Sequence, residues 1–277
     1  MPRRADAPPT HQRSRGGAAL RFALARGETR LADLHQASPM RILFPTPEPG
    51  EPPLAALVNT AGGLAGGDEV AVSIEAGPGT HAVISTPAAE KVYRSLGAET
   101  RIEARLQVGA GAMLEWLPQE TILFDGARLA RRLEVDLAPG ATLLLAEMLV
   151  FGRHARGEVL REGSLLDTWR VRRGGALLWA DGLALGEGMR ERLDDPFGFA
   201  GAEACATLLA ASETPLQAAR DAARGAGAAA TLPRPGLLLL RWLGAAAAVR
   251  EGLGATIRLL RGQVLGSAPV LPRLWTC

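Results

Sequence analysis

Lysine is nearly absent from this 277-residue sequence: Lys91 stands alone among 31 basic residues. The arginines that replace it do not lose a proton at physiological pH and cannot act as bases or Schiff-base formers. The two cysteines, Cys205 and Cys277, lie far apart and form neither a CxxC pair nor another metal-ligand spacing, which fits a reducing cytoplasm. Aromatic residues are few, with five Trp, one Tyr and six Phe, too few to supply the stacking platforms of a sugar-binding cleft. Net charge is only +2, so no overall field selects nucleic acid or an acidic membrane surface. No apolar run reaches the ~18 residues of a membrane span: the stretch 143–151 contains Glu147, and Leu237 to Leu240 stops at Arg241. The arginine-rich start lacks a secretory apolar region, since Arg21 and Arg26 interrupt the apolar stretch after it. Residues 1–17 are expected to form a disordered basic tail, and residues 18–277 a single domain.

Several chemistries are missing too. No G-x-S-x-G surrounds a serine, so no nucleophile elbow is present. No G-x-x-x-x-G-K-[ST] loop occurs, which excludes nucleotide binding in the P-loop manner. The glycine pairs in Gly62-Gly-Leu-Ala-Gly-Gly67 have the wrong spacing for a dinucleotide turn. His81 and His154 each stand without a second histidine at ligand spacing.

What is present is apolar content sufficient for a core, 47% of residues, together with 33 glycines and 19 prolines that favour turns over long helices. Alternating segments, Val70-Ala-Val-Ser-Ile74, Ile102-Glu-Ala-Arg-Leu-Gln-Val108, Leu133-Glu-Val-Asp-Leu137 and Trp169-Arg-Val171, each precede a turn at Gly79, Gly111, Gly140 or Gly175. After the turns come nearly continuous apolar runs, of which Thr142-Leu-Leu-Leu-Ala146 is one, as expected of strands covered on both faces. The period of about thirty residues predicts a mostly β, layered, solenoid-like body of stacked hairpins over residues 18–210. Segments 214–224 and 245–264 carry apolar residues at helical spacing, with Thr214-Pro215 as a helix start. Residues 237–243 read as a buried strand and residues 225–230 as a loop, so the part from about 211 to 277 contains the helices.

The polar residues keep a common phase. Six to nine positions after each aligned glycine stand Ser85 and Thr86, then Gln119 and Glu120, then Glu147, then Asp181. Stacked repeats would bring these oxygens to similar heights. Weak, dispersed oxygen ligands suit transient passage of a divalent cation, because a site that held the ion tightly would not release it. Paired carboxylates also leave open a hydrolase acting on a small or sugar substrate.

Taken together, three blocks carry a resemblance: Asn59-Thr-Ala-Gly-Gly-Leu-Ala-Gly-Gly-Asp68, Ser85-Thr-Pro-Ala-Ala-Glu-Lys-Val-Tyr-Arg-Ser95 and Leu114-Glu-Trp-Leu-Pro-Gln-Glu-Thr-Ile-Leu-Phe-Asp-Gly126. With Phe151-Gly-Arg-His-Ala-Arg-Gly-Glu158 and the closing Pro272-Arg-Leu-Trp-Thr276, they resemble the urease accessory protein family UreD, called UreH in some organisms. The resemblance implies a cytoplasmic, non-enzymatic scaffold of urease maturation. It implies association with UreF, the GTPase UreG and the urease apoprotein, and delivery of nickel to the urease active site. No permanent cofactor and no firm metal site are expected, only transient nickel. The implied water-filled passage would be lined by Asp68, Thr86, Gln119, Glu120 and Glu147, to which the repeat phase adds Ser85 and Asp181.

Overall fold

The computed structural model describes residues 13–276 and opens with a hairpin of β1 (Arg15–Ala25) and β2 (Glu28–Ala37), followed by β3 (Met40–Leu43) and β4 (Leu54–Asn59). Strand β1 starts inside the segment expected as tail, because Gly17 pairs with both Ala37 and Ala71. The rest of that expectation, residues 1–12, lies outside the described residues.

Three coils come next. The first holds β5 (Glu69–Ala76), β6 (His81–Ser85) and β7 (Glu90–Val92), the second β8 (Thr100–Val108), β9 (Met113–Leu117) and β10 (Thr121–Leu123). The third holds β11 (Arg128–Leu137) and the long β12 (Thr142–Phe151), which runs beside both β9 and β10. Each strand pairs in parallel with its counterpart one repeat away: Val70 lies opposite Ile102 and Ile102 opposite Arg131 in one sheet, while His81 lies opposite Met113 and Met113 opposite Thr142 in the other.

The first three expected hairpins are therefore arches that carry the chain from one sheet to the other. A tight two-residue hairpin turn of the favoured type needs positive φ at both central residues. The arches have a single such glycine each, Gly79, Gly111 and Gly140, and they stack through Gly79 N–H to Ala110 O at 2.9 Å. Only the fourth repeat has two, Gly174 and Gly175, at φ of +55° and +81°, and there β13 (Ser164–Arg173) and β14 (Ala176–Leu185) form a true antiparallel hairpin. Strand β14 thus ends the first sheet instead of entering the second, and Ala176 and Leu177 are exposed, contrary to the expectation of an inner strand covered on both faces.

After α1 (Met189–Asp194), β15 (Ala204–Ala211) takes the vacant place beside β12 in the second sheet, antiparallel to it. Then come α2 (Gln217–Gly225), β16 (Ala229–Arg234), β17 (Leu237–Gly244) and α3 (Ala246–Leu265). The two expected helices are present, but Thr214 does not cap α2: its hydroxyl lies 2.7 Å from that of Ser212, and the helix begins after Leu216. The expected 225–230 loop is shorter than read, since Ala229 and Ala230 already pair with β17.

One core lies between the sheets, with Phe22, Ile74 and Leu106 facing Ile84, Leu114 and Leu145. A second lies between the inner sheet and the helices, where Leu144, Leu208 and Leu240 meet Leu253, Ile257 and Leu260. Cover on both sides is the reason β6, β9 and β12 are apolar in both phases. A third cluster around Leu129, Leu149, Phe151 and Leu165 is the far end of the inter-sheet space.

The approach of Gly163 to the chain at Ala127 offers a test of this coil geometry. Gly163 has φ of +133°, and a Cβ there would stand 2.1 Å from the Ala127 carbonyl oxygen, which accepts the Ser164 N–H at 2.9 Å. Gly163→Ala is expected to lower unfolding free energy by about 1–3 kcal/mol, read as a fall in the urea midpoint at unchanged slope.

Candidate functional site

Residues i and i+2 of a strand share a face, so the inward rows can be read directly. On β11 the row is Leu129, Arg131, Leu133; on β13 it is Leu165, Asp167, Trp169; on β12 it is Leu145, Glu147, Leu149. Three charged residues thus occupy core phase and form a polar layer between the first and third apolar clusters. Arg131 and Asp167 are direct cross-strand partners, and the guanidinium donates from Nε to Oδ1 at 3.0 Å and from Nη2 to Oδ2 at 2.6 Å. From the facing sheet, Glu147 brings Oε2 to 2.9 Å from the same Nη2, while its Oε1 accepts the Trp116 indole N–H at 3.1 Å. Glu147 Oε2 is buried and receives no hydrogen bond, the contact with Arg131 being an ion pair outside hydrogen-bond geometry. Arg131 Nη1 reaches the Thr121 hydroxyl at 3.3 Å.

This layer borders a cavity of about 380 Å³ that also takes in Asp181, Cys205, Thr207 and Arg241. Arg131, Glu147 and Asp167 are each at most 8% exposed, whereas Asp181 and Arg241 pair with each other at the more open side. One guanidinium set against two carboxyl groups gives the buried triad a formal charge of −1 with both acids ionised, and the Asp181–Arg241 pair is formally neutral. Burial pushes the Glu147 carboxyl above its ordinary value, Asp167 pushes it further, and Arg131 with the Trp116 and Trp169 indoles offsets part of the shift. Burial opposes the Arg131 charge, but Asp167 and Glu147 outweigh it and hold the guanidinium more firmly protonated. Burial raises the Cys205 thiol to about 12, so it is a neutral thiol and not a thiolate ligand.

Of the seven candidate residues, six from the repeat phase and Asp68 from the resemblance, the fold brings only Glu147 and Asp181 into this cavity. Four others collect at the ends of β6 and β9. There the Ser85 hydroxyl donates to Leu117 O at 2.7 Å, and Thr86 Oγ1 accepts the Gln119 N–H at 2.8 Å. The Gln119 side chain donates to Leu274 O at 2.5 Å, and Glu120 is ion-paired with Arg250. This group lies under residues 271–276, where Trp275 donates to Leu117 O at 2.9 Å. Asp68 stands apart: its two oxygens accept the backbone N–H groups of Ser14 and Ala65, both at 2.8 Å, and so tie the start of β1 to the glycine-rich loop. A single continuous row of all seven is not what the fold makes. Asp181 misses the row because its strand belongs to the first sheet.

Arg131, Asp167 and Arg241 were not singled out from sequence; Arg131 and Asp167 carry a readable signal, a charge in the apolar phase of an alternating strand, whereas Arg241 is exposed after the continuous apolar run 237–240 and carries none. Charges at otherwise apolar, buried positions also mark a second network. Arg261 on α3, fully buried, donates from Nε to Glu115 Oε2 at 2.8 Å, from Nη2 to Glu51 at 2.5 Å and from Nη1 to Val270 O at 2.6 Å. Glu115 Oε1 lies 3.0 Å from His81 Nε2. Among the described residues, no group of three or more His, Cys, Asp or Glu side chains is arranged to hold a metal ion.

Residues 14–276 match the family model described as UreD urease accessory protein. A protein of Magnetococcus marinus named urease accessory protein UreD is 46% identical over 267 residues, covering 92% of each chain. One of the same name from Granulibacter bethesdensis is 48% identical over 239 residues, which are 84% of this chain and 99% of that one. A Methylobacterium radiotolerans protein named urease accessory protein UreD 1 is 46% identical over 284 residues, 99% of this chain and 96% of its own.

Proposed function

The chain belongs to the UreD urease accessory protein family, whose role is in urease maturation, and from that premise we propose that it is a scaffold through which nickel reaches apo-urease. In this reading it bridges a complex of UreF and the GTPase UreG to the urease apoprotein, and nickel is cargo that passes through, not a resident cofactor. The observation that carries the reading is the cavity between the sheets, bordered by the buried Glu147 carboxylate, whose Oε2 has no hydrogen bond, and by a triad of formal net negative charge. A hydrated dication entering low-dielectric protein needs compensating negative charge and oxygen ligands. Glu147 and Asp167 supply the charge, and Thr207 and Asp181 supply further oxygens at the cavity wall.

The absence of a P-loop in the sequence agrees with a partner that supplies the nucleotide chemistry. A hydrolase needs two carboxyls set on either side of a substrate bond. Here Glu147 and Asp167 both face one guanidinium, an arrangement suited to holding charge rather than to flanking a substrate. Among the described residues, no helix is long and apolar enough to cross a membrane.

The test is the nickel content of urease purified from cells carrying all accessory genes, with and without this one, at equal urease expression. Nickel should fall on deletion and return with the gene on a plasmid. Unchanged nickel in the deletion strain would overturn the delivery reading.

A further inference from the structure

Arg131 is the unusual member of the cavity. A passage for dications is expected to keep cations of its own away, yet here a permanently charged guanidinium, 7% exposed, sits between two buried acids of the cavity wall. Arginine does not deprotonate in proteins. The guanidinium can therefore leave the acids only by moving, never by losing its charge.

The geometry of its contacts is uneven. The bond pair to Asp167 is bidentate and short, the approach to Glu147 is an ion pair without a hydrogen bond, and the third arm reaches the Thr121 hydroxyl at a long 3.3 Å. Thr121 opens β10 and follows Glu120, so Arg131 is also the side chain that links the cavity to the second polar group at the ends of β6 and β9. Without Arg131 the two buried acids would present a charge of −2 to an entering dication, enough to hold it too firmly for release. With Arg131 in place the charge is −1, and an entering ion has to compete for oxygens already in use.

We propose that Arg131 is a displaceable counter-cation, holding between Glu147 and Asp167 the position a divalent cation takes during passage and turning toward Thr121 to admit it. Glu147, whose Oε2 is held by the Arg131 ion pair and by no hydrogen bond, makes the first contact with the ion. Asp167 becomes available only as the guanidinium withdraws, so each ion that enters restores the competitor as it leaves. This rests on the nickel-delivery reading above and assigns Arg131 as a positioning residue that sets the affinity of the cavity.

The test titrates nickel(II) chloride into the full-length chain by equilibrium dialysis, comparing wild type, Arg131→Met and the double variant Arg131→Met/Asp167→Asn. The double variant carries the same charge at the triad as wild type, −1, and keeps no unbalanced carboxylate pair, so it serves if Arg131→Met does not fold. Both variants are expected to bind nickel about tenfold or more tightly than wild type, and urease matured with either should hold correspondingly less nickel because the ion is retained. Adding Glu147→Gln to either variant should abolish the gain. Tighter binding in the double variant at unchanged charge identifies removal of a competitor as the cause. Affinity equal to or weaker than wild type in the variants that fold would overturn the role of Arg131. If wild type itself makes no difference to urease nickel in cells, it is the delivery reading that fails, so the two failures are separable.

Discussion

Glu147→Gln is expected to reduce the nickel found in urease by roughly tenfold to a hundredfold, the range that corresponds to losing one charged contact of about 1.5–3 kcal/mol. The fold should survive the change. Arg131 keeps both hydrogen bonds to Asp167, and the glutamine carbonyl can still accept the Trp116 indole N–H. What disappears is the negative charge of a buried side chain that borders the cavity. The same variant changes the pH dependence of stability. A carboxyl raised above its unfolded value binds more protons in the folded chain, so its contribution is full below the unfolded value near 4.5 and is lost as pH rises through the raised folded value. Wild-type stability should therefore fall across that window, and Glu147→Gln should flatten the fall. Some slope remains from Glu90, which burial also raises. Urea midpoints measured from pH 4.5 to neutrality check the sign. A variant that loses nickel delivery and also unfolds would mean that the carboxylate is needed for packing and not for passage.

Arg261→Met is expected to cause the largest loss of stability. Its guanidinium is fully buried, its partner Glu115 is fully buried too, and Glu51 is 14% exposed at its side chain. Removing the cation leaves two carboxylates facing each other's field in low dielectric. Breaking a buried pair in this way costs about 3–5 kcal/mol, which at ~2–4 °C per kcal/mol in a chain of this size is a fall of roughly 10 °C in Tm. The double variant Arg261→Met/Glu115→Gln should recover much of the loss, because it removes one of the stranded charges along with the cation. Failure of the double variant to recover stability would show that Arg261 matters through its bond to Val270 O and the C-terminal segment it holds, not through charge balance.

The alternation in 102–108 and 133–137 and the glycine at each turn sufficed to define a mostly β body with a repeat near thirty residues, since strands with one apolar face can bury it only by stacking. The double-phase apolar runs after the first three turns correctly marked an inner sheet covered on both sides, while the fourth, 176–180, is an edge strand of the other sheet, and the spacing of Val249, Leu253, Ile257 and Leu260 marked the helix that covers the inner sheet. Membership in the accessory family was legible as well, because the resemblance rests on short contiguous blocks such as Trp116-Leu-Pro-Gln-Glu120, which need no tertiary structure to be read.

Pairing was not legible. Whether a strand bonds across its own turn or to the next repeat depends on turn conformation, and one left-handed glycine against two, as at Gly140 and at Gly174 with Gly175, separates an arch from a hairpin. That difference moved Asp181 out of the inner sheet and drew β15 in from fifty residues further along, which brought Cys205, Thr207 and, through β17, Arg241 to the cavity. Equal spacing from aligned glycines places residues at equal heights only within one sheet. The site is assembled across two facing sheets, from Arg131 and Asp167 on one and Glu147 on the other. Linear order carries their number and type, but the distance of 2.9 Å between Glu147 and Arg131 exists only because the sheets close over a common core.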